Sequence, residues 1–215
     1  MVRKVPLQEL ELSIDDWTVP SQLQPLISEA SRRVADFSQK RPDPRSGFVP
    51  CGFETVARAL QLIQVQQLAT GRSFCEWGSG FGVVASVAAL MGFDAMGIEI
   101  DEQLVEQARR LADDFSVPVD FFQGSFVPPG GEYVAERANG DFFWLESDSD
   151  DTYEELGLGP DDFDLIFAYP WPEEETVIDV LFEKFAAHGA LLLTYSQFDS
   201  VRLRRKISSR SMVDG

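Results

Sequence analysis

The sequence predicts an α/β fold, a mostly parallel sheet with helices on both faces. Two observations lead there. From about residue 71 onward, short apolar runs alternate with stretches of helical periodicity, the pattern that builds a parallel sheet. The turn after the first of these runs carries three alternating glycines, Gly78, Gly80 and Gly82, in "FCEWGSGFGVVA". With 215 residues, 44% hydrophobic and 25% charged, the chain has material for one core-forming domain of ordinary size with an added N-terminal segment.

Each element has its own signal. Residues 1–20 read as irregular. Over 21–40, Leu23, Leu26, Ile27, Ala30, Val34 and Phe37 recur at spacings of three and four, which predicts a helix that Pro42 and Pro44 end. A loop, "SGFVPCGF", leads to a second helix over 54–68. Residues 73–77 predict a strand and 81–91 a helix. Residues 93–100 predict a second strand, and 102–115 a helix with Leu104, Val105, Ala108, Leu111, Ala112 and Phe115 facing inward, capped by Asp101. Residues 117–123 predict the third strand, 163–169 ("FDLIFAY") the fourth and 190–195 ("ALLLTY") the fifth. A helix over 173–187 lies between the last two, opened by Pro172 and three acids suited to its positive end.

The connection from 125 to 162 is long, holds "PPGG" and an acidic run, and leaves room for a short helix near 152–158. Only 20 residues follow Tyr195, which predicts a shortened end of the sheet. The organisation expected is an N-terminal helical extension over 1–70 that covers the cofactor site. The main domain follows over 71–215, with an acidic insertion at about 125–162.

Net charge is −18. Such a field repels phosphate backbones and anionic lipid, which argues against nucleic acid and membrane as partners. Nine acids and no base lie between Glu146 and Asp164, and 202–206, "RLRRK", is basic; both read as solvated surface. Two cysteines, Cys51 and Cys75, make neither a disulfide framework nor a zinc site, and no metal is expected. The N-terminus lacks the apolar core of a signal peptide and no run nears the roughly 20 apolar residues of a membrane span, so a cytoplasmic location is expected.

The glycine loop narrows the ligand. A P-loop needs Lys and Ser/Thr after its last glycine, and here Val83 and Val84 follow. A dinucleotide fingerprint needs its third glycine at position 83, where valine stands, and Glu76 close to a pyrophosphate would repel it. A cationic nucleoside reverses that sign. Glycines at 78, 80 and 82 let the backbone turn sharply and approach a ligand without a Cβ in the way.

The motif E-x-G-x-G-x-G, Glu76 to Gly82, resembles motif I of the class I S-adenosylmethionine-dependent methyltransferases, which have a Rossmann-like fold. The resemblance implies that S-adenosyl-L-methionine is bound, with Glu76 reaching its amino group through water and Gly78, Ser79, Gly80 and Gly82 forming the turn. Glu99, which ends "GIE" 21 residues after Gly78, matches the family's ribose-binding acid, and Ile100 would lie against the adenine. Ser125 occupies the place where the family often has an Asp for the adenine amino group. Phe126 reads equally as an adenine cover or as core.

Strand four ends "FAYPWP", so Ala168, Tyr169, Pro170, Trp171 and Pro172 follow one another where this family receives its methyl acceptor. Tyr169 and Trp171 are the candidate catalytic residues, one to relay a proton and one to hold a cation by its face. Lacking a polar head and adjacent prolines, this segment departs from the nucleic-acid N-methylating pattern. "FVPCGFETVARAL", "GFDAMGIEIDEQLVEQAR" and Tyr-x-x-Pro are similar to the small protein-lysine methyltransferases related to the ATP synthase c-subunit enzyme, over 48–110 and 163–172. That likeness implies that 48–50, with Pro50, folds over the cofactor and that Tyr169 and Pro172 flank the acceptor. The departures are the long 125–162 connection and Ser125.

The expected activity is methyl transfer to an N or O acceptor, a protein lysine or a small amine. The alternative is a non-catalytic S-adenosylmethionine-binding or protein-interaction module on the same fold. "FFWLE", 142–146, reads either as a lid over the pocket or as core.

Overall fold

A computed structural model of the chain describes residues 7–40, 48–137, 152–171 and 174–208. The "FFWLE" segment, most of the acidic run's first half, Pro172 and Glu173 lie outside the described residues.

In chain order the strands are β1 (Leu7–Leu10), β2 (Ser73–Trp77), β3 (Asp94–Glu99), β4 (Asp120–Gln123), β5 (Leu165–Ala168), β6 (Leu191–Ser196) and β7 (Ser200–Lys206). They form one sheet in the order β1-β7-β6-β5-β2-β3-β4. The five strands from β4 to β6 in that order are parallel, whereas β7 runs antiparallel to both β6 and β1. The helices are α1 (Gln24–Lys40), α2 (Phe53–Val65), α3 (Val83–Leu90), α4 (Glu102–Phe115), α5 (Glu132–Arg137), α6 (Thr152–Leu156) and α7 (Glu175–Phe185).

The central strands β2, β5 and β6 are buried on both faces, and their alternation divides the core in two. Phe74, Phe121, Leu165, Phe167, Leu191 and Leu193 face α1 to α4, which contribute Leu26, Ile27, Leu60, Ile63, Leu104 and Leu111 among others. Cys75, Trp77, Ile98, Ile166 and Leu192 point the other way, onto Tyr153 of α6 and Ile178, Leu181 and Phe182 of α7. The fold is therefore the expected Rossmann-like α/β arrangement with helices on both faces.

Three expectations change. Residues 1–20 are not wholly irregular, because Leu7–Leu10 form the outer strand β1. The sheet is not shortened: β6 turns straight into β7 without an intervening helix, and β1 supplies the seventh strand. The basic run is strand β7 and is solvated only in part: Arg202 is exposed, whereas Arg204 is buried and Arg205 and Lys206 are half-buried. Arg204 is buried and paired with Asp179, with a further bond to Thr194 Oγ1 at 3.2 Å. Arg202 pairs with Glu9 of β1, and Arg205 donates to the Leu68 carbonyl at 2.7 Å. Cationic side chains here fasten an edge rather than present a charge.

Candidate cofactor and acceptor site

The parallel strands end on one rim, where a ligand of this fold sits near the reversal of strand order. Chain order reverses beside β2, whose neighbours are β3 and β5. A cleft opens there, enclosing about 940 Å³ out to its mouth. Every parallel strand contributes: Trp77 and Gly78 after β2, Glu99 and Ile100 after β3, Ser125 and Phe126 after β4, Ala168 to Trp171 after β5, and Gln197 after β6. Phe48 and Val49 close one side.

The glycine loop follows from backbone sterics. Gly78, Gly80 and Gly82 have φ of +73°, +53° and +64°, the left-handed region that side-chain-bearing residues avoid. Gly82 thereby delays helix α3 to Val83, two residues later than the apolar periodicity predicts. A side chain at Gly82 would overlap the Phe121 ring and approach the Ala108 Cβ at 2.8 Å. One at Gly80 would overlap the Phe48 ring. Gly78 has nothing within 4 Å of an added Cβ and lines the cleft, so the space beside it is room for a ligand.

Two carboxylates brace this loop from below and beside. Glu76 is 4% exposed, and its Oε2 accepts the Ala85 N–H at 2.8 Å, which satisfies a first-turn donor of α3. Burial pushes its carboxyl well above the usual range, against the lowering by that N–H; the nearby Glu99 raises it further. Glu99 is 8% exposed and accepts from Gly80 N at 2.7 Å and Asp101 N at 3.0 Å. Burial raises its pKa too, opposed by the N–H groups of Asp101, Gly80 and Ile100. Asp101 caps α4 as expected, accepting from Gln103 N at 2.8 Å.

Of the residues singled out in the sequence, Gly78, Glu99, Ile100, Ser125, Phe126, Ala168, Tyr169 and Trp171 come together on the cleft wall. Glu76, Ser79, Gly80, Gly82 and Pro50 do not line it. Glu76 lies under the loop as a helix cap rather than at the mouth, because its strand position points it to the α3 side of the sheet. Ser79 is buried against Gly97. Pro50 lies one step beyond the cleft, on a neighbouring groove.

Ser125 Oγ accepts the Val127 N–H at 3.1 Å and so holds the turn after β4. Phe126 stacks on Trp77, centroids 5.5 Å apart and planes 12° from parallel. Tyr169 packs edge-on against Tyr195 at 4.9 Å; burial raises the phenol pKa, and Cys51 adds to it.

The sequence reading passed over Trp77, Glu174 and Gln197. Glu174 is buried, lines the cleft and accepts the Trp171 N–H at 3.0 Å, although in the sequence it is one acid of a helix-opening trio. Gln197 had no signal beyond its place at a strand end.

No family model matches the chain. It is 32% identical over 91 residues to the ribosomal protein L11 methyltransferase of Neisseria gonorrhoeae, a match covering 42% of this chain and 30% of that protein. The chain thus corresponds to under a third of the length of this curated relative. A methyltransferase from Geobacter sulfurreducens has a solved structure similar over 85% of this chain and 90% of its own, at TM-score 0.51 and 15% identity. An RNA methyltransferase of Salinibacter ruber, solved with S-adenosyl-L-homocysteine, gives TM-score 0.49 at 20% identity, covering 75% of this chain and 95% of that one. The alternating glycines after β2, the acid ending β3 and the parallel sheet between two helical layers thus stand in a chain that has the Rossmann-like fold of the Geobacter sulfurreducens methyltransferase and is similar over 91 residues to a ribosomal protein L11 methyltransferase.

Proposed function

We propose that the chain transfers a methyl group from S-adenosyl-L-methionine to an amine acceptor, on a small molecule or a protein. The observation that carries this reading is the open space beside Gly78, faced by the Glu99 carboxylate and roofed by Phe48. The residues fit the cofactor. Glu99 offers oxygen lone pairs to the ribose hydroxyls while its bond to Gly80 N–H fixes its direction. Ile100 and Phe126 offer apolar surface for the adenine, and Gly78 lets the methionine part approach the backbone. When bound, S-adenosylmethionine supplies a methyl group on a sulfonium, open to in-line attack by a lone pair.

The protein's work is then alignment and exclusion of water. Pro170 and the rings of Tyr169 and Trp171 form a stiff, apolar wall. Glu174, beside them, attracts a cationic amine and offers a carboxylate to take the proton that such an amine must lose. On this reading the N-terminal 1–70 segment covers the cofactor through Phe48 and Val49.

Calorimetry with S-adenosylhomocysteine, S-adenosylmethionine and NAD tests the proposal, followed by transfer of a radiolabelled methyl group to amine-bearing peptides and small amines. One site for the first two, none for NAD, and labelled product are expected. NAD binding in their place would overturn the reading. Cofactor binding without transfer to any acceptor would favour the non-catalytic module.

A further inference from the structure

Beside the cleft lies a second concavity, a groove between α1 and the start of α2 of about 1090 Å³ out to its mouth. The two are separated by a ridge made from two segments. Phe48, Val49 and Gln197 line the cleft, and Pro50, Cys51 and Asp199 line the groove. Between Gln197 and Asp199 stands Phe198, 91% exposed, on the turn that joins β6 to β7; Val49, 44% exposed, lies on the other segment.

This turn is clamped. Asp199 has φ +51°, the left-handed position that closes a three-residue hairpin loop and that Asp adopts more readily than most residues. Its Oδ1 accepts from the Tyr195 hydroxyl at 2.8 Å and the Thr55 hydroxyl at 2.9 Å. Phe198 N–H donates to Ser196 Oγ at 3.2 Å, and Ser196 and Ser200 hydroxyls meet at 2.7 Å. The bonds hold a ring in water that contributes nothing to the core.

We infer that this ridge docks the methyl acceptor, and that the acceptor is a cationic polypeptide segment. The segment lays an apolar residue on Phe198 and Val49, reaches into the cleft with its amine, and continues along the groove. A small amine fills the cleft alone, whereas only a chain that crosses the ridge uses both concavities and the ring between them. The charge follows from 36 acids against 18 bases in the whole chain and from Glu54 and Asp199 in the groove. The groove's Arg58, which donates to Thr55 Oγ1 at 3.2 Å, offsets part of this charge and leaves two acids against one base along the lining. Phosphates of an RNA would meet repulsion along the same path.

The inference rests on methyl transfer for the identity of the cleft, and its test separates the two. The full chain, saturated with S-adenosylhomocysteine, is titrated into fluorescein-labelled probes of equal length: a lysine-rich peptide with one phenylalanine, its glutamate-rich counterpart, and an oligouridylate. Binding of the lysine peptide alone, weakened by added salt, is expected. Phe198→Ala should weaken it about tenfold and Phe198→Leu much less, the usual effect of losing a central aromatic contact. Asp199→Gly keeps the left-handed turn but removes its clamp, and should also weaken the peptide. The affinity for S-adenosylhomocysteine should be unchanged in Phe198→Ala. Failure to bind the lysine peptide, tighter binding of the oligouridylate, or equal peptide affinity in Phe198→Ala would overturn the ridge. Loss of S-adenosylhomocysteine binding by the wild-type chain would instead overturn the proposed function.

Discussion

Glu99 Oε2 accepts the Gly80 N–H at 2.7 Å, tying the end of β3 to the glycine loop that follows β2. One carboxylate thus shapes the cavity and faces into it. A side chain read in the sequence only as a ribose ligand also braces the loop.

Removing Glu99 should therefore cost more than one ligand bond. Glu99→Ala is expected to weaken S-adenosylhomocysteine by roughly 10- to 100-fold, the range of one or two charge-assisted hydrogen bonds. Glu99→Gln, which can still accept the Gly80 N–H, should lose less. Calorimetry on both checks this, and equal losses would mean that loop bracing contributes nothing.

The glycines should separate folding from binding. Gly82→Ala combines a left-handed backbone, about 1–2 kcal/mol, with overlap against Phe121 and Ala108, about 1–3 kcal/mol more. A fall in Tm of roughly 10 °C is expected for a chain of this size. Gly78→Ala meets open space, so only the backbone cost applies, yet its methyl group occupies ligand room. Thermal melts with cofactor titrations should show Gly82→Ala losing stability first and Gly78→Ala losing affinity first.

Buried Glu76 should leave a signature in the pH dependence of stability. Burial raises its pKa, so the folded chain keeps this proton where the unfolded chain has released it. That contribution is full below the ordinary glutamate value of about 4.3 and is lost as pH rises through the folded value. Glu76→Gln still accepts the Ala85 N–H and no longer titrates. Urea unfolding of both proteins across this range should give a shallower decline for the variant. Parallel curves would place the proton elsewhere.

Arg204 and Asp179 join β7 to α7, with Arg204 almost wholly buried. Asp179→Ala strands a buried guanidinium and should cost about 3 kcal/mol, whereas Asp179→Leu combined with Arg204→Met should recover most of it. Denaturant melts measure both. A single variant as stable as the double one would show that the pair is solvated.

Local pattern was enough for the central architecture, and the reason is physical. Strands buried on both faces must be continuous apolar runs, as "FDLIFAY" and "ALLLTY" are, and helices on a sheet must carry an apolar stripe, as Leu104 to Ala112 do. Glycines that must turn left-handed stand where no other residue serves, so the loop at 78–82 is readable as a cofactor turn. Long-range partnership had no such signature. Leu7–Leu10 are too short and too mixed in polarity to reveal a strand until β7 offers an edge, and the basic run of β7 resembles a solvated face until Asp179 and Glu9 meet it. The same holds at the site. The residue types around the cleft follow from the chain itself, but that Glu76 turns inward to cap α3, that Pro50 falls past the rim, and that Phe198 stands clear of the core were decided only by packing between segments distant in sequence.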